Sequence, residues 1–377
     1  MSSRIVGLDV LRSLAIVGVV LSHGFGLLGA HFGWLHWFGH AGSFGVDLFF
    51  VLSGFLIGGI LLDLGTELGS PRAVLGFWLR RWWRTVPNYW LFLALNVPFM
   101  LYVWKLPVDL GAFLWKFPFF WQSVAWRHPP FFPESWSLAI EEWFYLLFPI
   151  LIWLGLRFTK RYTVVITVSA LVLLIGPLLL RFAMPPPEIW FEDLRKVVIY
   201  RLDAIMYGVL AIAACRRWPE AIRRWRYPLL GLGIVAVGIS YRAFFVLDLQ
   251  TSWFAKTWLS SLITFGFALM LPWASAVTSV GWARLDRGIR QIARWSYSMY
   301  LCNVPLIIMA QLWFAPQANA SVTVALGLFV AYVALVTGLS ALVYTYYERP
   351  VMRWRDRFAL SRATAKAEPV TPSPHLS

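Results

Sequence analysis

The sequence has little charge and almost no cysteine. Charged residues make up 14% of its 377 residues, whereas a soluble domain carries about 25%. This composition excludes a soluble globular enzyme. The two cysteines, Cys215 and Cys302, form no spaced framework, which excludes a disulfide scaffold and a zinc site. We interpret both as packing residues.

Several common catalytic motifs are also missing. The sequence contains no Walker loop, no GxGxxG and no HExxH motif, so neither a P-loop, a dinucleotide fold nor a zinc protease is indicated. Acidic residues are outnumbered by basic ones, 18 against 33. Because the basic residues lie in short clusters between apolar runs, we attribute them to membrane topology and expect contact with membrane lipids, not nucleic acid.

What the sequence does have is hydrophobic runs. Hydrophobic residues make up 59% of the chain and recur in runs of ~20 residues, the length that crosses a bilayer. They predict an all-α, polytopic membrane helix bundle. We predict about ten transmembrane helices, at 5–28, 42–62, 86–104, 136–156, 162–182, 197–214, 229–247, 258–278, 292–314 and 322–346.

The distribution of Lys and Arg sets the predicted orientation. With both termini in the cytoplasm, inside segments hold 23 of these residues and outside segments hold eight, as the positive-inside rule requires. Asp9 and Arg12 interrupt the first run, so we expect a retained helix instead of a cleaved signal peptide. We predict one membrane domain over 1–357 and a disordered cytoplasmic tail over 358–377, which is rich in Ser, Thr, Pro and Ala.

The predicted outside connection over 105–134 is rich in Trp, Phe and Pro. Such rings commonly anchor a protein at the headgroup level. They could instead form a flat platform on which a sugar rests, because aromatic rings bury area at little entropic cost. The sequence does not separate these two interpretations.

Two ionisable residues share one face of the first helix. Eleven positions separate Arg12 from His23, which is close to three full helical turns and a rise of about 16 Å. Charged groups inside a membrane are expensive, so each is a candidate functional residue.

Other ionisable groups are predicted at the depth of His23, in the outer third of the membrane. Imidazole accepts protons near neutral pH, and a carboxylate on its other nitrogen would fix its tautomer. We therefore expect a carboxylate to orient His23. The groups at this depth are Asp47, Glu141, Glu142, Arg201 and Asp203.

The segment over 77–87 is the densest basic and aromatic run. Positive-inside topology with interfacial Trp would explain it. Alternatively, Arg81 and Arg84, together with Arg80, would present neighbouring guanidinium groups to the phosphates of a ligand.

Ordered motifs from Gly7 to Arg353 give the chain a recognisable signature. It resembles the acyltransferase 3 family of integral membrane acyltransferases. The motifs that carry this resemblance are Arg12-x10-His23, FGVDLFFVLSGFLI over 44–57, Arg81-x-x-Arg84, SWSL over 135–138 with Glu141-Glu142 and Phe144-Tyr145, RLDA over 201–204, SYSMYL over 296–301 and YERP over 347–350.

The resemblance implies transfer of an acyl group, commonly acetyl, from cytosolic acetyl-CoA to a hydroxyl of a carbohydrate or lipid-linked glycan, in a bacterial inner membrane. It implies that His23 is the catalytic histidine, that Arg12 is its signature partner, and that Arg81 and Arg84 are needed for activity. Many members have His where this chain has Asn303, whose amide could hydrogen-bond a substrate.

The candidate site has a donor-binding part, a catalytic set and a substrate-binding set. Acyl-CoA would bind as co-substrate at Arg80, Arg81 and Arg84, and no metal is expected. The rival interpretations are a proton-coupled exporter of a glycan or lipid and an inactive partner in an envelope assembly. The catalytic set is His23, Arg12, Asp47, Glu141 and Glu142, and the substrate-binding set is Arg201, Asp203, Trp136, Tyr145 and Asn303.

Overall fold

The structure is a helical bundle. A computed structural model describes residues 5–105, 109, 111 and 114–355, and within these ranges the regular structure is helical with no strand. The predicted all-α membrane bundle is confirmed. Its long helices are α1 (Val6–Gly24), α2 (Ala41–Leu64), α3 (Pro71–Pro98), α4 (Ser135–Phe158), α5 (Tyr162–Ala183), α6 (Leu202–Arg217), α7 (Pro219–Val246), α8 (Ser260–Ala276), α9 (Ala283–Ala320) and α10 (Val322–Val343).

Each predicted span corresponds to one of these helices. Nine helical segments of the described chain are long and apolar enough to cross a membrane. The exception among the long helices is α6, whose 16 residues rise about 24 Å, less than the ~30 Å of a hydrocarbon core. The predicted tail over 358–377 lies outside the described residues.

Helix boundaries differ most from prediction at the basic segments. Helix α3 begins at Pro71 and α7 at Pro219, whereas the apolar runs begin near 86 and 229. Proline suits the first position of a helix, and the Arg and Leu residues that follow are good helix formers. The basic segment over 77–87 is therefore helical and continuous with the span that follows it.

The closest crossing in the bundle joins α2 and α6 through two glycines. A Cβ atom at Gly54 would collide with the carbonyl oxygen of Ile205, and one at Gly208 would collide with that of Val51. Small residues let membrane helices approach at backbone distance. This crossing fixes α2 in the centre of the bundle, where it forms one wall of the site described below.

Helix α3 lies at the edge of the bundle. Only 33% of its most apolar stretch is buried, and hydrogen bonds hold it in place. The Tyr297 hydroxyl donates to the carbonyl of Thr85 at 2.9 Å, the Tyr347 hydroxyl to that of Pro87 at 3.0 Å, and Tyr89 to that of Phe117 at 2.9 Å. Its position therefore depends on a few polar contacts.

The described part of the aromatic connection folds back onto the bundle. Phe117, Phe131 and Phe132 are buried, while the backbone N–H of Val198 donates to the carbonyl of Ser123 at 2.9 Å. Arg127 pairs with Asp193 and with Glu188. Residues 114–134 and 188–199 thus form one cover over the end of the bundle at which α4 begins.

Candidate active site

A narrow cavity of about 90 Å³ opens between α1, α2, α3, α4 and α9. Its polar lining comes from helices that are distant in sequence, so the fold assembles it. This volume holds several water molecules. The lining residues are Arg12, Val46, Phe49, Phe50, Ser53, Arg81, Arg84, Thr85, Ser137, Leu138, Glu141, Ser296, Tyr297 and Tyr300.

Arg81 is the centre of the polar wall. Its Nη2 donates to the hydroxyl of Tyr145 at 2.6 Å and approaches Ser53 Oγ at 3.4 Å. Its guanidinium carbon lies 4.3 Å from the centre of the Tyr145 ring, a cation–π contact. The Tyr145 hydroxyl in turn contacts Glu141 Oε2 at 3.0 Å and Ser53 Oγ. The predicted residues Arg81, Glu141 and Tyr145 therefore meet in one network.

Glu142 belongs to the same wall but faces its other side. Its Oε1 accepts a hydrogen bond from the Thr85 hydroxyl at 2.7 Å, and the Trp82 indole also interacts with it. Thr85 lines the cavity, whereas Glu142 does not. Adjacent positions on α4 thus place one carboxylate at the cavity and the other behind Thr85.

The predicted phosphate-binding arginines separate into two groups. Arg81 and Arg84 line the cavity together with Arg12. Arg80 is exposed on the helix, and its carbonyl accepts a hydrogen bond from Arg355 Nη1 at 3.4 Å. The cavity therefore presents three guanidinium groups, to which Arg80 does not contribute.

His23 has an amide partner. Its Nδ1 lies 2.5 Å from Oδ1 of Asn303. The Asn303 amino group donates to the carbonyls of Met299 at 3.0 Å and Tyr300 at 2.6 Å, so Oδ1 can only accept. Nδ1 of His23 must then carry the proton, and Nε2 is left as the basic nitrogen. The chain therefore fixes the tautomer of His23 without a carboxylate.

This pair lies just beyond the cavity. Tyr300 lines the cavity, and Asn303 follows it by one turn of α9. His23 occupies the last turn of α1 and is exposed, eleven residues and about 16 Å from Arg12. The cavity thus leads from its arginines toward the histidine.

The structure gives His23 an amide partner and not the expected carboxylate, which was Asp47, Glu141 or Glu142. Asp47 is fully buried, and its two oxygens bind Arg195 at 2.8 Å and Arg201 at 2.5 Å. Both of its oxygens are engaged with guanidinium groups, which leaves Asn303 as the hydrogen-bond partner that the described residues give His23. Glu141 and Glu142 are likewise held by Tyr145 and Thr85.

Arg201 and Asp203 join this second cluster, apart from the cavity. Asp203 forms a two-oxygen ion pair with Arg181, at 2.8 and 3.1 Å, and accepts from Ser261 at 2.7 Å. We call the five charged residues the ion-pair network: Asp47, Arg181, Arg195, Arg201 and Asp203. Sequence analysis missed Arg181 and Arg195, which it counted as cations of outside segments.

Trp136 separates the two polar regions. It is buried, its ring meets Phe50 edge-on at 6.0 Å, and it lies 5.9 Å from the guanidinium carbon of Arg195. Phe50 lines the cavity. Trp136 is therefore an internal wall between cavity and ion-pair network.

Polar residues missed by sequence analysis lie at the outer end of the cavity. The Tyr300 hydroxyl hydrogen-bonds Ser137 Oγ at 2.6 Å and the carbonyl of Glu134 at 2.9 Å. Burial raises the pKa of the Glu134 carboxyl to about 8, because the charged form is poorly solvated there. Burial also lowers the pKa of His128 to about 3. Both groups are therefore neutral near pH 7. The available sequence signal for Ser137 and Tyr300 was their place in the SWSL and SYSMYL motifs.

The aromatic connection remains open to both interpretations. Trp115, Phe119, Trp121 and Trp126 are exposed, so they could reach either headgroups or a sugar. No group of three or more His, Cys, Asp or Glu residues that could hold a metal occurs in the described ranges. Cys302 is buried beside Ser340 Oγ at 3.2 Å.

Comparison with known proteins places this architecture. A family model described as an acyltransferase domain, acyltransferase 3, matches residues 5–345. The O-acetyltransferase OatA of Staphylococcus aureus strain NCTC 8325 and that of strain MRSA252 are each 25% identical over 365 residues, covering 92% of this chain. The chain spans 57% of the length of these relatives. No solved structure matches the chain significantly. With nearly all of its helical part matched, the chain belongs to the acyltransferase 3 family.

Proposed function

We propose that this protein is a membrane O-acetyltransferase that moves an acetyl group from cytosolic acetyl-CoA to a hydroxyl of a carbohydrate, free or lipid-linked. The observation that supports it best is the cavity, which carries Arg12, Arg81 and Arg84 at its lining and ends one helical turn from the His23–Asn303 pair. The names of the relatives indicate O-acetyl transfer.

The donor would bind from the end of the bundle at which α1 begins. With the orientation predicted from Lys and Arg, this end faces the cytoplasm. Arg84 and Arg81 would hold CoA phosphates, for which guanidinium groups are suited, and the pantetheine arm would follow the cavity past Arg12. Arg80, exposed beside them, would contribute long-range charge. The thioester would then reach His23 without export of CoA.

His23 would act as the general base. Its Nε2 takes the proton of the acceptor hydroxyl while the hydroxyl oxygen attacks the thioester carbonyl. The carbon–sulfur bond breaks, and the CoA thiolate recovers the proton from Nε2. The same nitrogen could carry the acetyl group transiently, and trapping of labelled enzyme would reveal that intermediate.

The remaining assignments follow from this scheme. Glu141 and Tyr145 would hold Arg81 in place, whereas Glu142 would hold Thr85. Asp47, Arg201 and Asp203 would support the outer half of the site through the ion-pair network, and Trp136 would wall it. The membrane domain would extend over 1–357, in the inner membrane of a bacterium.

The test is acetyl transfer by membranes that contain the protein. Membranes are supplied with acetyl-labelled acetyl-CoA, and surface glycans and extracted glycolipids are analysed by mass spectrometry. The label should appear on one of them, and His23→Ala should lower the rate about 10²–10⁴-fold. His36→Ala, at an exposed histidine, is the matched control. Unlabelled acceptors in every fraction would refute the proposal, and accumulation of a glycan on one side of the membrane would favour export.

A further inference from the structure

A second cavity of about 660 Å³, which we call the lateral groove, lies between α3 and α4. Its walls are almost entirely apolar side chains. Those that carry the argument are Leu79, Trp82 and Trp90 of α3, Trp143 and Leu146 of α4, and Phe119 of the aromatic connection.

Two indole donors of the wall are already satisfied. The Trp90 indole N–H donates to the carbonyl of Pro118 at 3.1 Å, and the Trp143 indole N–H donates to that of Phe120 at 2.9 Å. Both contacts also hold the connection against the helices. Because these donors are engaged, ring surfaces line the groove. Apart from the carboxylate of Glu142, a polar ligand would find little to hydrogen-bond there.

The dimensions fit an extended hydrocarbon chain. Leu79 and Trp90 are eleven residues apart on α3 and line the groove, so it extends about 16 Å, roughly half of a ~30 Å hydrocarbon core. Phe119 is 71% exposed and Trp90 is 50% exposed. The groove is therefore open beside Phe119, at the end nearest the aromatic connection.

The groove shares a wall with the reaction cavity. Glu142 lines the groove and accepts the hydrogen bond of Thr85, which lines the cavity. A molecule in the groove thus lies one side-chain pair away from the arginine cavity. A bilayer lipid in the groove takes no part in the reaction, whereas the hydrocarbon chain of a substrate would hold that substrate beside the reaction cavity.

We propose that the lateral groove binds the hydrocarbon chain of a lipid-linked acceptor, which narrows the acceptor from any carbohydrate to a glycan carried on a lipid. This inference rests on the proposed function. The chain enters beside Phe119, and its sugar remains on the side of the membrane that the aromatic connection covers. Anchoring raises the local concentration of the acceptor hydroxyl near His23.

The experiment is photolabelling of the full-length protein in lipid nanodiscs. The probe is dodecyl β-D-glucoside with a diazirine at the end of its chain, and labelled peptides are mapped by mass spectrometry. Labels should concentrate on α3 around Leu79–Trp90 and on α4 around Trp143–Leu146. A phosphatidylglycerol with the same diazirine chain should label these peptides about tenfold less.

Variants that fill the groove provide the control. Leu146→Trp should lower glucoside labelling about tenfold, since loss of contact with about two methylene groups accounts for that factor. Leu79→Trp fills the other end and is used if Leu146→Trp lowers the unfolding temperature. Leu179→Trp, at an exposed position of α5, should leave labelling unchanged.

The outcomes separate the two proposals. Equal labelling by glucoside and phospholipid, or labelling unchanged in both groove variants, would overturn the lipid-linked acceptor. Labelling needs no acetyl-CoA, so a labelled groove in a protein that transfers no acetyl group would refute the proposed function alone. Acetyl transfer to glycans without groove labelling would refute the groove inference alone.

Discussion

The arginine cavity and the ion-pair network use the same residue types in opposite ways. In the cavity, Arg81 is held by the neutral hydroxyl of Tyr145 and borders open space. In the network, Asp47 is fully buried between Arg195 and Arg201. Charges in a membrane are costly in either case. The difference suggests that paired charges hold helices together, while the charge beside a cavity is available to a ligand.

The network also explains how the helices of the outer half are joined. Asp47 on α2 binds Arg195 and Arg201, which both precede the first residue of α6. Asp203 on α6 binds Arg181 on α5 and Ser261 on α8. These contacts connect α2, α5 and α8 to α6 and to the segment just before it, and α6 is the shortest of the ten helices. Electrostatic contacts therefore add to the packing of α6 on α2 at backbone distance.

The largest effect is expected for Asp47→Asn, which tests whether the ion-pair network holds the helices together. It leaves two buried guanidinium groups without their carboxylate, and breaking a buried pair costs about 3–5 kcal/mol. The free energy of unfolding, or the yield of folded protein in detergent, should fall accordingly. Asp63→Asn, whose pair with Arg216 is exposed, should cost under about 1 kcal/mol. Equal stability of the two variants would contradict a structural network.

Arg81→Gln tests whether the arginine cavity binds a ligand. If Arg81 holds a CoA phosphate, its removal should raise the KM for acetyl-CoA about 10–100-fold, since a hydrogen bond to a charged group is worth about 1.5–3 kcal/mol. The unfolding temperature should fall less than for Asp47→Asn, because Arg81 attracts Glu141 and Glu142 without an ion pair as close as those of Asp47. Arg80→Gln is the neighbouring control. Unfolding of Arg81→Gln at wild-type KM would make Arg81 structural.

Asn303→Ala sharpens the comparison at the histidine. Without the amide oxygen, Nδ1–H of His23 loses its acceptor and the tautomer is no longer fixed. A lost hydrogen bond of this kind costs about 1–3 kcal/mol, so kcat should fall about tenfold or more at unchanged KM for acetyl-CoA. Asn96→Ala removes another buried amide, bonded to the carbonyl of Phe92, and should leave kcat unchanged. A fall in kcat in both variants would argue against a specific role for Asn303.

The last expected effect, at Glu134, is a change of stability with pH. Its folded pKa of about 8 is raised above the unfolded value of about 4.3, so the folded state holds a proton that the unfolded state releases. The stability that protonated Glu134 contributes is greatest below pH ~4 and is lost as the pH rises toward 8. Between pH 6 and 7 the loss is about 1.4 kcal/mol. Glu134→Gln should flatten this slope, and an unchanged slope would show that Glu134 titrates normally.

The sequence predicted the helices, and several of the candidate site residues meet in the structure. Apolar length located every span, and the motif that holds Glu141 and Tyr145 named two residues that form one network with Arg81. The predicted helix starts at 86 and 229 were too late, since the helices begin at Pro71 and Pro219. The apolar run stops at the bilayer surface, whereas helix-forming residues continue beyond it.

The partners of the remaining candidate residues could not be predicted from their depth in the membrane alone. Asp47 and His23 were placed at one level, but rotation about the helix axis turns Asp47 toward Arg195 and Arg201. Arg181 lay at the end of the predicted span 162–182 and Arg195 just before the span 197–214, and both were counted as outside cations, so their burial was not predicted. The partner of His23 comes from α9, 280 residues away, a pairing that only the packing of α1 on α9 decides.

The amide of Asn303 has a consequence for how protons are counted during a reaction. An amide neither gains nor loses a proton at ordinary pH, and its own N–H groups are held by Met299 and Tyr300. The pair of His23 and Asn303 can therefore store a single proton, on Nε2, and must return it before the next acceptor arrives. A site with two ionising partners could load a second proton and stall in acid; this one has only two states, empty and full.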